Sequence, residues 1–150
     1  MGHDFDKFPE LSNNQMAEFY FDSPHKQIME DFRAVVVKVH DGDTVTLEWE
    51  ERDFKFPMRL RNIDAPELNM EGGDRAKSHL QELVEGQTVD ILIDPKSRTE
   101  KWGRLLGDIF AGGVTISEEM IRSGLAWDFD QRREGLLPNI NKELDLGQWF

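Results

Sequence analysis

The chain contains no cysteine, which excludes disulfides, thiolate catalysis and sulfur-ligated metal centres. Any metal must then be held by oxygen or imidazole. Histidine is scarce too. The four present, His3, His25, His40 and His79, show no paired spacing, which argues against zinc. No apolar run reaches the roughly 18 residues of a membrane-spanning helix, so no membrane partner is expected. No basic segment followed by an apolar one opens the chain, so no signal peptide is visible. The default expectation is an intracellular protein, or a secreted one if a leader has been removed. Positive charge is also short: 18 Lys and Arg stand against 30 Asp and Glu, a net charge of −12. Duplex binding normally draws on a basic face. Net charge bears on solubility and association rate rather than on chemistry, however, and a local cationic cleft on an acidic body remains compatible with it.

What is present is enough for one folded domain. The length is 150 residues and 38% of them are hydrophobic. Residues 1–32 read as an N-terminal extension that packs on the core or on a partner. Within it, Ser12-Asn13-Asn14-Gln15 fits a capping box opening a short helix toward Tyr20. Ser23-Pro24 fits the start of a second, running to about Asp31. Phe5, Phe8, Phe19, Tyr20 and Phe21 are many aromatics for a short arm. Residues 33–150 form the main domain. Strands are expected at about 33–40, 44–50, 54–63, 88–93 and 104–111. Ala76, Leu80, Leu83 and Val84 share one face of a helix closed by Gly86. A second helix spans Glu118–Ser123 with Ser117 as its cap, and Leu144–Phe150 is expected to dock on the core. Three strands, a helix and two more strands predict a mainly β fold with α elements. The expected form is a five-stranded barrel of the OB type carrying two or three helices.

Three stretches carry the chemistry. Asp41-Gly42-Asp43-Thr44 is an acidic turn between two strand-like runs. Asn62-Ile63-Asp64-Ala65-Pro66-Glu67 is a second acidic turn, at the end of the run that carries Arg59. Lys101-Trp102-Gly103-Arg104 adds a cationic element. Each alone is compatible with ordinary surface: a hairpin, a turn, and an arginine paired across strands to Glu48. Together, two carboxylate turns and two separated arginines are what metal-assisted phosphodiester cleavage requires. A phosphodiester is already negative, so its charge must be neutralised and a water placed in line. Calcium prefers oxygen ligands and tolerates an irregular shell. Arginine forks onto two phosphate oxygens and stays charged.

The set Val39-His40-Asp41-Gly42-Asp43-Thr44-Val45, Met58-Arg59-Leu60, Asn62–Glu67 and Arg98–Arg104 resembles the staphylococcal nuclease family in order and spacing, over about residues 33–127. Ser117–Ala126 resembles that family's second helix and the Gly-Leu-Ala after it. The resemblance implies an OB-fold barrel with three helices that cleaves DNA and RNA with one calcium ion, as an endonuclease leaving 3′-phosphate ends. It implies that Asp43 and Asp64 ligate the ion by carboxylate and Ala65 by its backbone carbonyl. Glu67 would act on the attacking water, and Arg59 and Arg104 would hold the phosphate. Lys101 and Trp102 would contact a neighbouring phosphate and sugar. Asp41 would be an acid near the ion without ligating it. A monomer is expected, with a dimer through the N-terminal extension as the other possibility.

The chain departs from the family in a short Leu68–Gly73 stretch, in Asp128-Phe129-Asp130 where tyrosines are usual, and in lacking a lysine-rich third helix. The alternative is a non-catalytic nuclease-like module that binds nucleic acid or protein. Such modules typically lose metal or arginine positions, and this chain keeps them.

Overall fold

Alternation of apolar and polar residues fixes which face of each strand turns inward. In Phe56–Leu60 it is strict: Phe56, Met58 and Leu60 are buried, Pro57 and Arg59 are not. The computed structural model describes residues 2–101 and 103–128. After a short helix α1 (Asn13–Phe19) and a 3₁₀ turn (Tyr20–Asp22) come β1 (Phe32–Asp41), β2 (Thr44–Glu48), β3 (Phe56–Leu60) and β4 (Ile63–Asp64). Helix α2 (Gly73–Val84), β5 (Thr88–Leu92), β6 (Leu105–Ala111), β7 (Val114–Thr115), α3 (Ile116–Arg122) and β8 (Trp127–Asp128) follow.

The sheet runs β3-β2-β1-β5-β6-β7, and a parallel pairing of β3 with β6 closes five of these strands into a barrel. Register breaks in β1, near Lys38 and His40, help bend a long strand around it. Valines, leucines and isoleucines from all five barrel strands fill the interior, and α2 covers one side with Ala76, Leu80 and Val84. The mixed α and β barrel anticipated from the pattern is therefore the observed one. Among the described residues no helix is long and apolar enough to cross a membrane.

Some expectations need correction. Ser23–Asp31 is not a helix. The Ser23 hydroxyl donates to the His25 carbonyl and accepts from Gln27 Nε2, so local side-chain bonds replace the helical ladder. The long third strand is broken after Leu60, because Asn62 adopts φ 68° and turns the chain. Ser117 is not a cap. It lies inside α3, and its N–H and hydroxyl both donate to the buried carboxylate of Asp108 on β6. The helix start is thus satisfied from a neighbouring strand. Trp102 and Leu144–Phe150 lie outside the described residues.

The N-terminal segment is bound to the barrel by two buried arginines. Arg52, in the β2–β3 connection, bonds the Glu10 carboxylate and donates to the Lys26 carbonyl at 2.8 Å. Its guanidinium also sits 4.5 Å from the Phe56 ring centroid. Arg98, in the β5–β6 connection, donates to Asn13 Oδ1 at 2.9 Å and to the carbonyls of Ile28 and Leu11 at 2.6 Å each. Removing one partner of a buried ion pair costs about 3–5 kcal/mol. That scale makes the Glu10–Arg52 contact part of the fold rather than decoration.

Candidate active site

Asp41 and Thr44 are paired at the ends of β1 and β2, which leaves Gly42 and Asp43 as a two-residue turn. The Asp43 N–H donates to Asp41 Oδ1 at 3.0 Å, which fixes the turn. Thr44 lies opposite Arg59 in the β2–β3 register, and the Leu60 N–H donates to the Asp43 carbonyl at 2.7 Å. Arg59, pointing away from the core between Met58 and Leu60, is thereby delivered beside Asp43. The turn at Asn62 then brings Asp64 back to the same place, where β4 is held by pairing with β8.

The result is a convergence on one nitrogen. Arg59 Nη2 lies 3.3 Å from Asp43 Oδ2 and 3.5 Å from Asp64 Oδ1. The Ala65 N–H donates to Asp43 Oδ2 at 3.0 Å, and the Thr44 hydroxyl to Oδ1 at 3.1 Å. Asp43 is nearly buried, and burial is the main reason its carboxyl is pushed up from 3.8 to about 7. The neighbouring Asp41 charge and its hydrogen bond act in the same direction; Arg59 and the Ala65 N–H oppose them.

Small residues allow the two acidic turns to meet. A β-carbon on Gly42 would lie 2.6 Å from the Ala65 methyl and 2.7 Å from that of Ala76 in α2. Gly73 likewise lets α2 begin against the Glu67 carbonyl, where a side chain would collide. Glu67 itself is exposed. Its carbonyl accepts from the Met70 N–H at 2.9 Å, while among the described residues its carboxylate makes no hydrogen bond or ion pair.

Arg59 and Arg104 line one cleft of about 820 Å³, together with Arg61, Asn62, Asp94, Ser97, Glu100, Lys101 and Leu106. Four cationic side chains against two acids make this surface locally positive on a chain of net charge −12. Arg104 is clasped by Glu100, which accepts from its backbone N–H at 3.0 Å and from Nη2 at 3.3 Å. Glu100, Arg61 and the Gly42 contact were not read from sequence. Glu100 lies within the Arg98–Arg104 stretch, but nothing local marks it as the arginine's partner.

The donor set suits a hard cation. Two carboxylates converge, and one of them is buried with a raised pKa, so a positive charge beside it is favourable. Among the described residues no group of three or more His, Asp or Glu side chains converges. A cation here would complete its shell with backbone carbonyl, water or substrate oxygens, as an open catalytic site requires.

The family profile described as staphylococcal nuclease homologue matches residues 57–144. An uncharacterized endonuclease of Escherichia coli O157:H7 is 34% identical over 117 residues, covering 75% of this chain and 72% of that protein. A staphylococcal-like nuclease, CAN1, of Arabidopsis thaliana is 39% identical over 99 residues, covering 63% of this chain but 30% of that protein. A micrococcal nuclease of Shigella flexneri is 33% identical over 108 residues, covering 66% of this chain and 59% of its own length.

Proposed function

Because the chain belongs to the staphylococcal nuclease homologue family, we propose that it is a calcium-dependent endonuclease that hydrolyses phosphodiester bonds of DNA, RNA or both. The observation that carries this reading is the meeting of Asp43 and Asp64 at Arg59 Nη2, with Arg59 and Arg104 on one cleft. Asp43, Asp64 and the Ala65 carbonyl would hold one calcium ion. When bound, the ion supplies Lewis-acid charge and orients water.

The remaining work falls to the chain. Arg59 and Arg104 bind the non-bridging phosphate oxygens and stabilise charge as it builds on them. Glu67 accepts a proton from the attacking water, or holds that water in line. Pro66 stiffens the turn that presents it. The water oxygen bonds phosphorus, the P–O5′ bond breaks, and the leaving 5′ oxygen takes a proton, which leaves a 3′-phosphate end. Lys101 holds an adjacent phosphate, and Trp102 is its proposed partner on the sugar. Asp41 sets the Asp43 turn without ligating the ion. The protein acts as a monomer.

The test is plasmid nicking with calcium, with magnesium and with EDTA. Cleavage with calcium that EDTA abolishes is expected, with 3′-phosphate ends. Cleavage unchanged by EDTA would overturn the mechanism, and binding without cleavage would favour a non-catalytic module.

A further inference from the structure

Of the three arginines on the cleft, two are engaged. Arg59 bonds Asp43, Asp64 and the Leu60 carbonyl, and Arg104 bonds Glu100. Arg61 differs. Its backbone N–H donates to the Gly107 carbonyl at 2.9 Å, which extends the β3–β6 ladder by one residue and fixes where its side chain starts. The side chain lines the same cleft, yet among the described residues it takes part in no hydrogen bond or ion pair, and its Nε is buried without an acceptor there.

A guanidinium stays charged at any physiological pH. A buried donor without an acceptor carries a desolvation cost that an arriving acceptor would relieve. Asp94 and Glu100 line the same cleft, yet among the described residues neither carboxylate bonds Arg61. The alternation Arg59-Leu60-Arg61 has Leu60 in the core and both arginines on the cleft side. Two residues of extended chain separate their backbones by about 6.6 Å, comparable to the spacing of successive phosphates along an extended strand.

We infer that Arg61 is a binding residue for a second phosphate of the substrate, adjacent to the one being cleaved. The site therefore favours a polynucleotide strand over an isolated phosphodiester. The inference rests on the nuclease reading above, and it names the substrate feature that this surface reads. Arg59 and Arg104 serve the reacting phosphate; Arg61 serves grip and placement of the chain beside it.

The experiment compares wild type with Arg61→Gln and Arg61→Lys on two substrates and in one binding assay. The substrates are a short single-stranded DNA oligonucleotide and a nitrophenyl ester of thymidine phosphate, which has a single phosphodiester. Binding of the oligonucleotide is measured in EDTA across a salt series. For Arg61→Gln, KM on the oligonucleotide should rise about tenfold or more, with kcat/KM on the nitrophenyl ester unchanged. The slope of log affinity against log salt should shrink by about 0.7, the value for one phosphate contact on a single strand. Arg61→Lys should keep the salt slope. Equal losses on both substrates would overturn the inference by putting Arg61 at the reacting phosphate. An unchanged salt slope and unchanged KM would overturn it as well. If wild type cleaves neither substrate, the nuclease reading fails, while the salt slope in EDTA still decides whether Arg61 contacts a phosphate.

Discussion

The Ala65 N–H donates to Asp43 Oδ2 at 3.0 Å, which joins two acidic turns more than twenty residues apart by a single hydrogen bond. That bond forms because nothing stands between the turns. Gly42 presents bare backbone to the Ala65 and Ala76 methyls. Gly42→Ala is therefore expected to destabilise the protein by about 1–3 kcal/mol, the cost of forcing a methyl into a filled space. Neither alanine can rotate its single methyl out of the way, so backbone must move, and the two carboxylates should separate. A urea titration together with a cleavage assay checks this. Wild-type stability and activity would show that the contact is looser than the geometry implies.

Local chemistry makes the members of the candidate site legible, and the structure brings Asp43, Asp64 and Arg59 together. Two acidic turns, a proline after Asp64 and an arginine at a strand's outward position are signals carried by a few adjacent residues. The barrel followed from alternation and from the helix placed between strand runs. What stayed hidden depended on distant partners. The Asp108 carboxylate satisfies the start of α3 from another strand, so Ser117 has the residue type of a cap without serving as one. Ser23-Pro24 fits a helix start by residue type, but the Ser23 hydroxyl is used by the next few residues. Arg52 and Arg98 look like surface residues by type, yet both are buried, because the N-terminal segment supplies acceptors for them. No short window of sequence contains such pairings.

Arg104 is the cleaner of the two arginines proposed to bind the reacting phosphate. Its side chain is about one-third exposed and is bonded to Glu100, so Arg104→Ala should leave stability within about 0.5 kcal/mol of wild type. Cleavage should fall by about 10²–10³, the usual cost of one lost donor to a developing oxyanion. Glu100→Gln should cost less, because it loosens the guanidinium without removing it. Steady-state kinetics beside thermal melts separate these outcomes. Near-normal activity in Arg104→Ala would remove it from the mechanism.

Glu67 has an exposed carboxylate that makes no hydrogen bond among the described residues, so Glu67→Gln should fold as wild type does. If the residue acts on water, cleavage should drop by about 10²–10⁴. Calcium affinity, read by titration calorimetry, should stay within a few-fold of wild type. Parallel losses of both would recast Glu67 as a ligand of the ion.

Asp43 links the site to pH. Burial and the Asp41 charge raise its carboxyl from 3.8 to about 7 in the folded protein. In the unfolded chain an aspartate titrates near 3.9. The fold therefore binds this proton more tightly than the unfolded chain does. The group's contribution to stability is complete below about pH 3.9 and is lost as pH rises through about 7. Metal-free protein should accordingly melt lower at pH 8 than at pH 6, and Asp43→Asn should flatten that slope. Calcium reverses the preference, because it requires the ionised carboxylate. Below pH 7 its binding must expel a proton, so affinity should fall about tenfold per pH unit. The rise in melting temperature on adding calcium should then be large at pH 8 and small at pH 5.5. A calcium-induced rise of equal size at both values would mean that Asp43 is not a ligand, and the ion would have to be sought away from the turn that Ala65 closes.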